Sequence, residues 1–188
     1  MINTIILLGR SGCGKDTQAE LLKERYGHTI VSSGRLFRTL ATQPTFAGKK
    51  ISALLDKGGL PPSWLAEFLW TRYFIDQDPP EKMIFNGFPR RPEEARTLDE
   101  VVTWFNRDHS LKVVLIDISR REALTRLVKR GRADDDETTI NERLDWFDTE
   151  VGRVIEYYKS SNRLIPVNGE QSIEAVFNEI VAGIEHHG

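Results

Sequence analysis

Residues 4 to 22 read TIILLGRSGCGKDTQAELL, an apolar run followed at once by a glycine-rich loop and then an apolar-periodic segment. The order of glycine, four residues, glycine and lysine from Gly9 to Lys15 is that of a Walker A phosphate loop, and a preceding strand and following helix are the context such a loop requires. Glycines let backbone N–H groups curl around phosphate oxygens. A helix N-terminus favours their negative charge, and the lysine spans the β and γ phosphates. The motif therefore predicts a strand, loop and helix at the start of the chain, with Gly12, Cys13, Gly14 and Lys15 in contact with a nucleotide.

Asp16 stands directly after the lysine, where a Mg2+-binding hydroxyl is common, and Thr17 follows one place late. An unassisted carboxylate there repels phosphates, whereas with Mg2+ between them it is an oxygen ligand of the kind a hard cation accepts. A second account has Asp16 facing away and only favouring the helix N-terminus.

A chain of 188 residues is long enough for one full core, and any further unit must be a small insertion. With 39% hydrophobic residues, 29% charged residues and a net charge of -2, composition gives no electrostatic case for nucleic-acid or membrane partners. No apolar stretch approaches the roughly 18 residues of a membrane span, and the N-terminal apolar run has no basic segment before it. The single cysteine, Cys13, excludes an intramolecular disulfide framework and suits a reducing cytoplasm; packing is the simpler account of it.

Five apolar runs, TIILL, HTIVS (28 to 32), MIFN (83 to 86), KVVLIDI (112 to 118) and RLIPV (163 to 167), alternate with helical patterns. Continuous apolar runs imply strands buried on both faces, and the alternation implies a parallel sheet. Ser119 with Glu122 forms a capping-box pattern ahead of ALTRLV. Apolar residues from Ile140 through Leu144, Phe147, Val151 and Val154 to Tyr158 predict one long amphipathic helix, and Ile173, Val176, Phe177, Ile180 and Ile184 predict a last one. Between the second and third runs lie helix signals, the turn KGGLPP and an aromatic helix with Trp64, Phe68, Trp70 and Phe74. These aromatics read as packing between a helical insertion and the core. His28 and His109, beside strand starts, read as surface or turn residues.

The segments GKDTQAELL, SSGRLFR, NGFPRRPEEA, GRADDDETTINERL and VNGEQSIEAVF occur in that order and together resemble the adenylate kinase family of nucleoside monophosphate kinases across essentially the whole chain. The resemblance implies a phosphate-loop, three-layer α/β fold with a five-stranded parallel sheet. A helical acceptor-binding insertion would span about residues 32–76, and a very short lid about 130–136. It implies reversible transfer of the γ-phosphoryl group of ATP to a nucleoside monophosphate, AMP first, with Mg2+, in a cytoplasmic monomer. ATP would be bound by Gly12, Cys13, Gly14, Lys15, Asp16, Thr17, Arg126 and Gly169. The acceptor would be bound by Ser33, Arg38, Gly87, Arg90, Glu94, Arg132 and Arg143.

Lys15, Arg90, Arg130, Arg132 and Arg143 would carry the transfer, which asks for fixed cations aimed at charge spread over phosphoryl oxygens. Arg126 and Arg130 are four apart and so share a helix face. Asp134 and Asp135 match lid aspartates of the family, and capping of a helix that begins near Asp136 accounts for the acidic run equally well. No cysteine tetrad exists for a zinc-holding lid.

Three positions depart from the family pattern. Arg35 and Asn86 replace aspartates, and Glu94 replaces a glutamine that reads the acceptor base. Asp16 is expected to restore, with Asn86, the oxygen-ligand set for Mg2+, directly or through water. An ionised Glu94 can only accept hydrogen bonds and suits guanine, unless it is protonated or contacts the base through one bond and water. Kinases of CMP, UMP or GMP, and a nucleotide-binding switch with little turnover, are the alternatives.

Overall fold

A computed structural model describes residues 4–57, 59, 61–76, 82–131 and 136–186. Five strands, β1 (Thr4–Leu8), β2 (Thr29–Ser32), β3 (Met83–Asn86), β4 (Leu111–Asp117) and β5 (Leu164–Asn168), form one parallel sheet in the order β2-β3-β1-β4-β5. All five predicted runs are strands. Every residue of β1 is buried, as the central strand of a sheet covered on both faces must be.

The period of two along each strand divides the core. Ile6 and Leu8 of β1 join Val31, Phe85, Val113 and Leu115 on one face, while Ile5 and Leu7 join Ile30, Ile84, Val114 and Ile116 on the other. The helices α2 (Ser33–Ala41), α3 (Phe46–Leu55), α4 (Ser63–Ile75) and α5 (Pro92–Trp104) contribute to the first cluster. The second is covered by α1 (Lys15–Tyr26), α6 (Arg120–Arg130), α7 (Glu137–Trp146) and α9 (Ile173–His186).

The predicted long helix is interrupted. After α7 the chain makes a π turn, Phe147–Val151, and continues as α8 (Gly152–Ser160). Ile140 and Leu144 of α7 pack in the second cluster, but Val154 and Tyr158 of α8 pack in the first. One apolar stripe thus serves two layers, which a straight α-helix cannot do.

Further expectations need correction. Of the aromatic helix, Trp70 and Phe74 are fully buried among Phe85, Phe88 and Phe105, whereas Trp64 and Phe68 are exposed. A 3.6-residue period cannot turn all four rings onto one buried face. His28 is buried, with its ring edge-on to Tyr26, because Gly27 ends α1 in a left-handed turn that sends the chain inward. Ile173 is exposed on the first turn of α9, where its carbonyl accepts from Gln18 Nε2. Ser119 caps α6 by accepting from the Glu122 N–H, but Glu122 does not complete the box. The Ser119 N–H donates to Glu170, and Glu122 turns to Arg126 instead. Cys13 is buried in the second cluster, in keeping with a packing role.

Candidate active site

The loop after β1 lies at the C-terminal end of the sheet, beside the strand from which chain connections depart to opposite sides, where open α/β sheets bind ligands. Its conformation demands glycine. Gly9 has φ 146°, and a Cβ there would lie 2.5 Å from the Ile116 carbonyl oxygen and 2.6 Å from Cys13 Sγ. Lys15 opens α1. Its ammonium donates to the carbonyls of Gly9 at 2.6 Å and Arg10 at 2.9 Å and reaches Cys13 Sγ at 3.4 Å. All three ammonium protons thus have acceptors within the loop.

A cleft of about 1410 Å3 runs from this loop, past α2 and the turn after β3, to α6 and α7. Pockets for one small ligand hold roughly 300–1,000 Å3, so the cleft is larger than one such ligand needs. Lys15, Arg38, Arg90, Arg126, Arg130 and Arg143 all line it, together with Gly12, Gly14, Asp16, Thr17, Ser33, Asn86 and Gly87. The arginines come from four separate places, α2, the turn after β3, α6 and α7, so only the folded chain brings them together.

Asp16 does not face away from the loop. Asn86 at the end of β3 donates from Nδ2 to Asp16 Oδ1 at 2.6 Å, joining the first turn of α1 to the neighbouring strand. Asn86 is buried, whereas Asp16 is exposed to the cleft. Asp16, Thr17 and Asn86 all line the cleft, and each carries a side-chain oxygen. This all-oxygen donor set fits a hard divalent cation.

Arg90 is held from several sides. Its Nε donates to the Gly87 carbonyl at 2.6 Å and its Nη2 to Ser33 Oγ at 3.3 Å, while its backbone N–H donates to Glu94 Oε2 at 2.7 Å. Burial pushes the guanidinium pKa down; Glu94 opposes this and nearby Arg143 adds to it. Glu94 is itself buried, with one carboxylate oxygen committed to the Arg90 backbone. Gly87 has φ 86°, and a Cβ there would meet Ser33 Oγ at 2.7 Å, in the space where these groups converge. A recess lined by Ser33, Phe37, Phe88, Arg90, Glu94 and Trp146 adjoins them.

Arg126 donates to Glu122 at 2.6 Å and to the Gly169 carbonyl at 3.0 Å, which brings α6 to the loop after β5. Asp136 caps α7, accepting from the Thr139 hydroxyl at 2.5 Å and from the Thr139 N–H at 3.0 Å, and these bonds hold its carboxyl below the usual range. Arg35 points to Glu20 on α1 at 3.5 Å, on an exposed surface. Arg132, Asp134 and Asp135 lie outside the described residues, as does most of the proposed lid.

Two features of the cleft and its surroundings escape sequence reasoning. Trp146 lines it from the last residue of α7, and Arg10 within the loop pairs with Asp117 and Asp148. The apolar stripe conceals the first. The second joins residues distant in the chain, and its only local signal is an arginine in a glycine-rich loop.

These elements define a phosphate-loop α/β protein with a large, arginine-lined cleft at the C-terminal end of a parallel sheet. The family model described as Adenylate kinase matches residues 7–163. An adenylate kinase of Bacteroides fragilis is 33% identical over 98% of this chain and 99% of its own length. One of Leptospira biflexa is 32% identical over 96% and 98%, and adenylate kinase 1 of a Nostoc species is 33% identical over 95% and 96%. The chain belongs to the adenylate kinase family. Among the described residues no helix is long and apolar enough to cross a membrane, and no cluster of three His, Cys, Asp or Glu side chains could hold a metal.

Proposed function

We propose that the protein is an adenylate kinase, a phosphotransferase that converts ATP and AMP reversibly into two ADP. The observation that supports this reading best is the cleft, whose lining includes the phosphate loop and Lys15 together with Arg38, Arg90 and Arg143. A phosphate loop alone accounts for a donor nucleotide. Arginines from α2 and the GFPR turn account for a second, phosphate-bearing ligand.

In this reading Gly12, Cys13, Gly14 and Lys15 cradle the ATP phosphates, with Arg126 and Gly169 beside the donor nucleoside. Exchange of at least one Lys15 ammonium contact from a loop carbonyl to a phosphate oxygen accompanies binding. Ser33, Arg38, Gly87, Arg90 and Glu94 receive AMP, and Arg130, Arg132 and Arg143 close over the transferring group. A phosphate oxygen of AMP forms the new bond to the γ phosphorus while the bond to the β-phosphate bridging oxygen breaks. Fixed guanidinium groups stabilise the charge on the transferring oxygens without reorganising, which supplies most of what such a transfer requires. Asp16 and Asn86 would hold Mg2+, directly or through water, with Thr17 beside the ATP phosphates. Bound there, Mg2+ would supply neutralisation of the phosphate charge.

The helices α2 to α4, about residues 32–76, serve as the acceptor-binding unit, and about 130–136 serve as the lid. A cytoplasmic monomer is the corresponding state, and the lone free cysteine suits a reducing compartment.

Glu94 orders Arg90 through its backbone, and one oxygen is thereby withdrawn from base reading. AMP, GMP, CMP and UMP are to be compared as acceptors with ATP and Mg2+, for the wild type and Glu94→Gln. AMP is expected to be the best acceptor for both proteins. A wild-type preference for GMP, reversed in Glu94→Gln, would overturn the AMP assignment and make Glu94 the base reader.

A further inference from the structure

The π turn between α7 and α8 lies over the C-terminal ends of the central strands, where the chain crosses from one face of the sheet to the other. A π turn accommodates one residue more than an α turn, so it rotates α8 by about 100° relative to α7. Arg143 and Trp146, before the turn, line the cleft. The turn follows directly on the helix that carries Arg143, so an anchor on the turn acts on the C-terminal end of that helix.

Asp148, the second residue of the turn, supplies one. Its Oδ1 accepts from Arg10 Nη2 at 2.7 Å and its Oδ2 from Arg120 Nη1 at 3.3 Å, so each oxygen takes a different arginine. Arg10 belongs to the phosphate loop. Its other arm donates to Asp117 at 3.2 Å and to the Ile118 carbonyl at 2.9 Å at the end of β4, and its plane covers the Phe147 ring at 4.8 Å. Arg120 is the first residue of α6, the helix that carries Arg126 and Arg130. It also donates to Asp145 at 2.7 Å and to Asn141 at 3.1 Å on α7, so Asp148 shares the link to α6, whereas the turn's ion pair to Arg10 is made by Asp148 itself. One carboxylate thus connects three cation-bearing segments of the cleft: the loop with Lys15, α6, and the helix with Arg143.

An exposed ion pair contributes little stability on its own. Here the pair is shared, and one partner is held from four sides with its side chain only 21% exposed. Its effect falls on relative position more than on folding.

We propose that Asp148 is a positioning residue for phosphoryl transfer, fixing the helix of Arg143 against the phosphate loop through Arg10, while it shares with Asp145 and Asn141 the link to α6 through Arg120. The proposal rests on the phosphotransfer reading for its catalytic consequence. Its geometric content is separate, and two measurements keep them apart.

In the first, kcat and both KM values are measured for wild type, Asp148→Asn, Asp148→Glu, Arg10→Gln and the double variant Arg10→Gln/Asp148→Asn. Misplacement of a catalytic group by about 1 Å costs up to roughly a hundredfold. For Asp148→Asn we expect kcat to fall about tenfold with KM values within about twofold and an unchanged Tm, with partial rescue in Asp148→Glu. The double variant should be no slower than the slower single variant, since the two share one interaction.

In the second, calorimetry measures binding of ATP alone and of a bisubstrate analogue with two adenosines joined through five phosphates. Asp148→Asn should weaken the analogue about tenfold and ATP by less than about twofold, because only the analogue spans both sets of cations. A wild type that binds the analogue but makes no ADP would defeat the phosphotransfer reading alone. Unchanged kcat and analogue affinity in Asp148→Asn, multiplicative losses in the double variant, or losses that track a lowered Tm would overturn the positioning role.

Discussion

At the scale of single residues, the informative positions are those that depart from the family pattern. Asp16 beside the phosphate loop is an unfavourable charge until its partner is seen. The 2.6 Å bond from Asn86 turns one carboxylate oxygen inward and leaves an oxygen-rich corner at the loop. The charge lost at position 86 is thus regained from the adjacent element rather than omitted. On this account Asp16→Gly should raise the Mg2+ concentration for half-maximal turnover by roughly tenfold, the scale on which support around a metal site acts. An unchanged Mg2+ titration would separate Asp16 from the metal. Arg35, in contrast, turns to Glu20 on an exposed surface, so this departure involves a surface pair rather than the cleft. Glu94 has become a brace for Arg90, a use that residue type alone does not reveal.

Among the elements, the strands were the most legible, because five continuous apolar runs leave little choice other than a sheet covered on both faces. The cleft's cationic residues were legible too, since each stands in a short local motif. Contacts made across the chain were not. The Asp148 bridge to Arg10 and Arg120, the bond from the Ser119 N–H to Glu170 and the burial of His28 depend on where distant segments meet. Periodicity likewise could not show that one apolar stripe serves two cores, because a π turn shifts the helix phase without disturbing the sequence pattern. It also marked Trp64 and Phe68 as equals of Trp70 and Phe74. Only the latter two fill the layer between α4 and the sheet, where Trp70 stacks on Phe88 at 5.9 Å and meets Phe85 edge-on. Trp70→Ala should therefore cost about 3–5 kcal/mol, read as a lowered midpoint in denaturant unfolding. Trp64→Ala, at an exposed site, should cost less than about 0.5 kcal/mol.

In the whole molecule, the sheet's strand order places the phosphate loop between two groups of helices. One group carries Ser33 and Arg38, and the other carries Arg126, Arg130 and Arg143. The volume between them exceeds the usual size of a single-ligand pocket, and its cations are matched to two phosphate-bearing ligands. Adenylate kinase chemistry is distinguished from other phosphate-loop activities by running backwards from one reagent. Purified protein given only ADP and Mg2+, followed by phosphorus magnetic resonance, should form ATP and AMP in equal amounts, and Lys15→Ala should abolish this while remaining folded. Persistence of ADP, or its conversion to AMP and inorganic phosphate without ATP, would contradict the account.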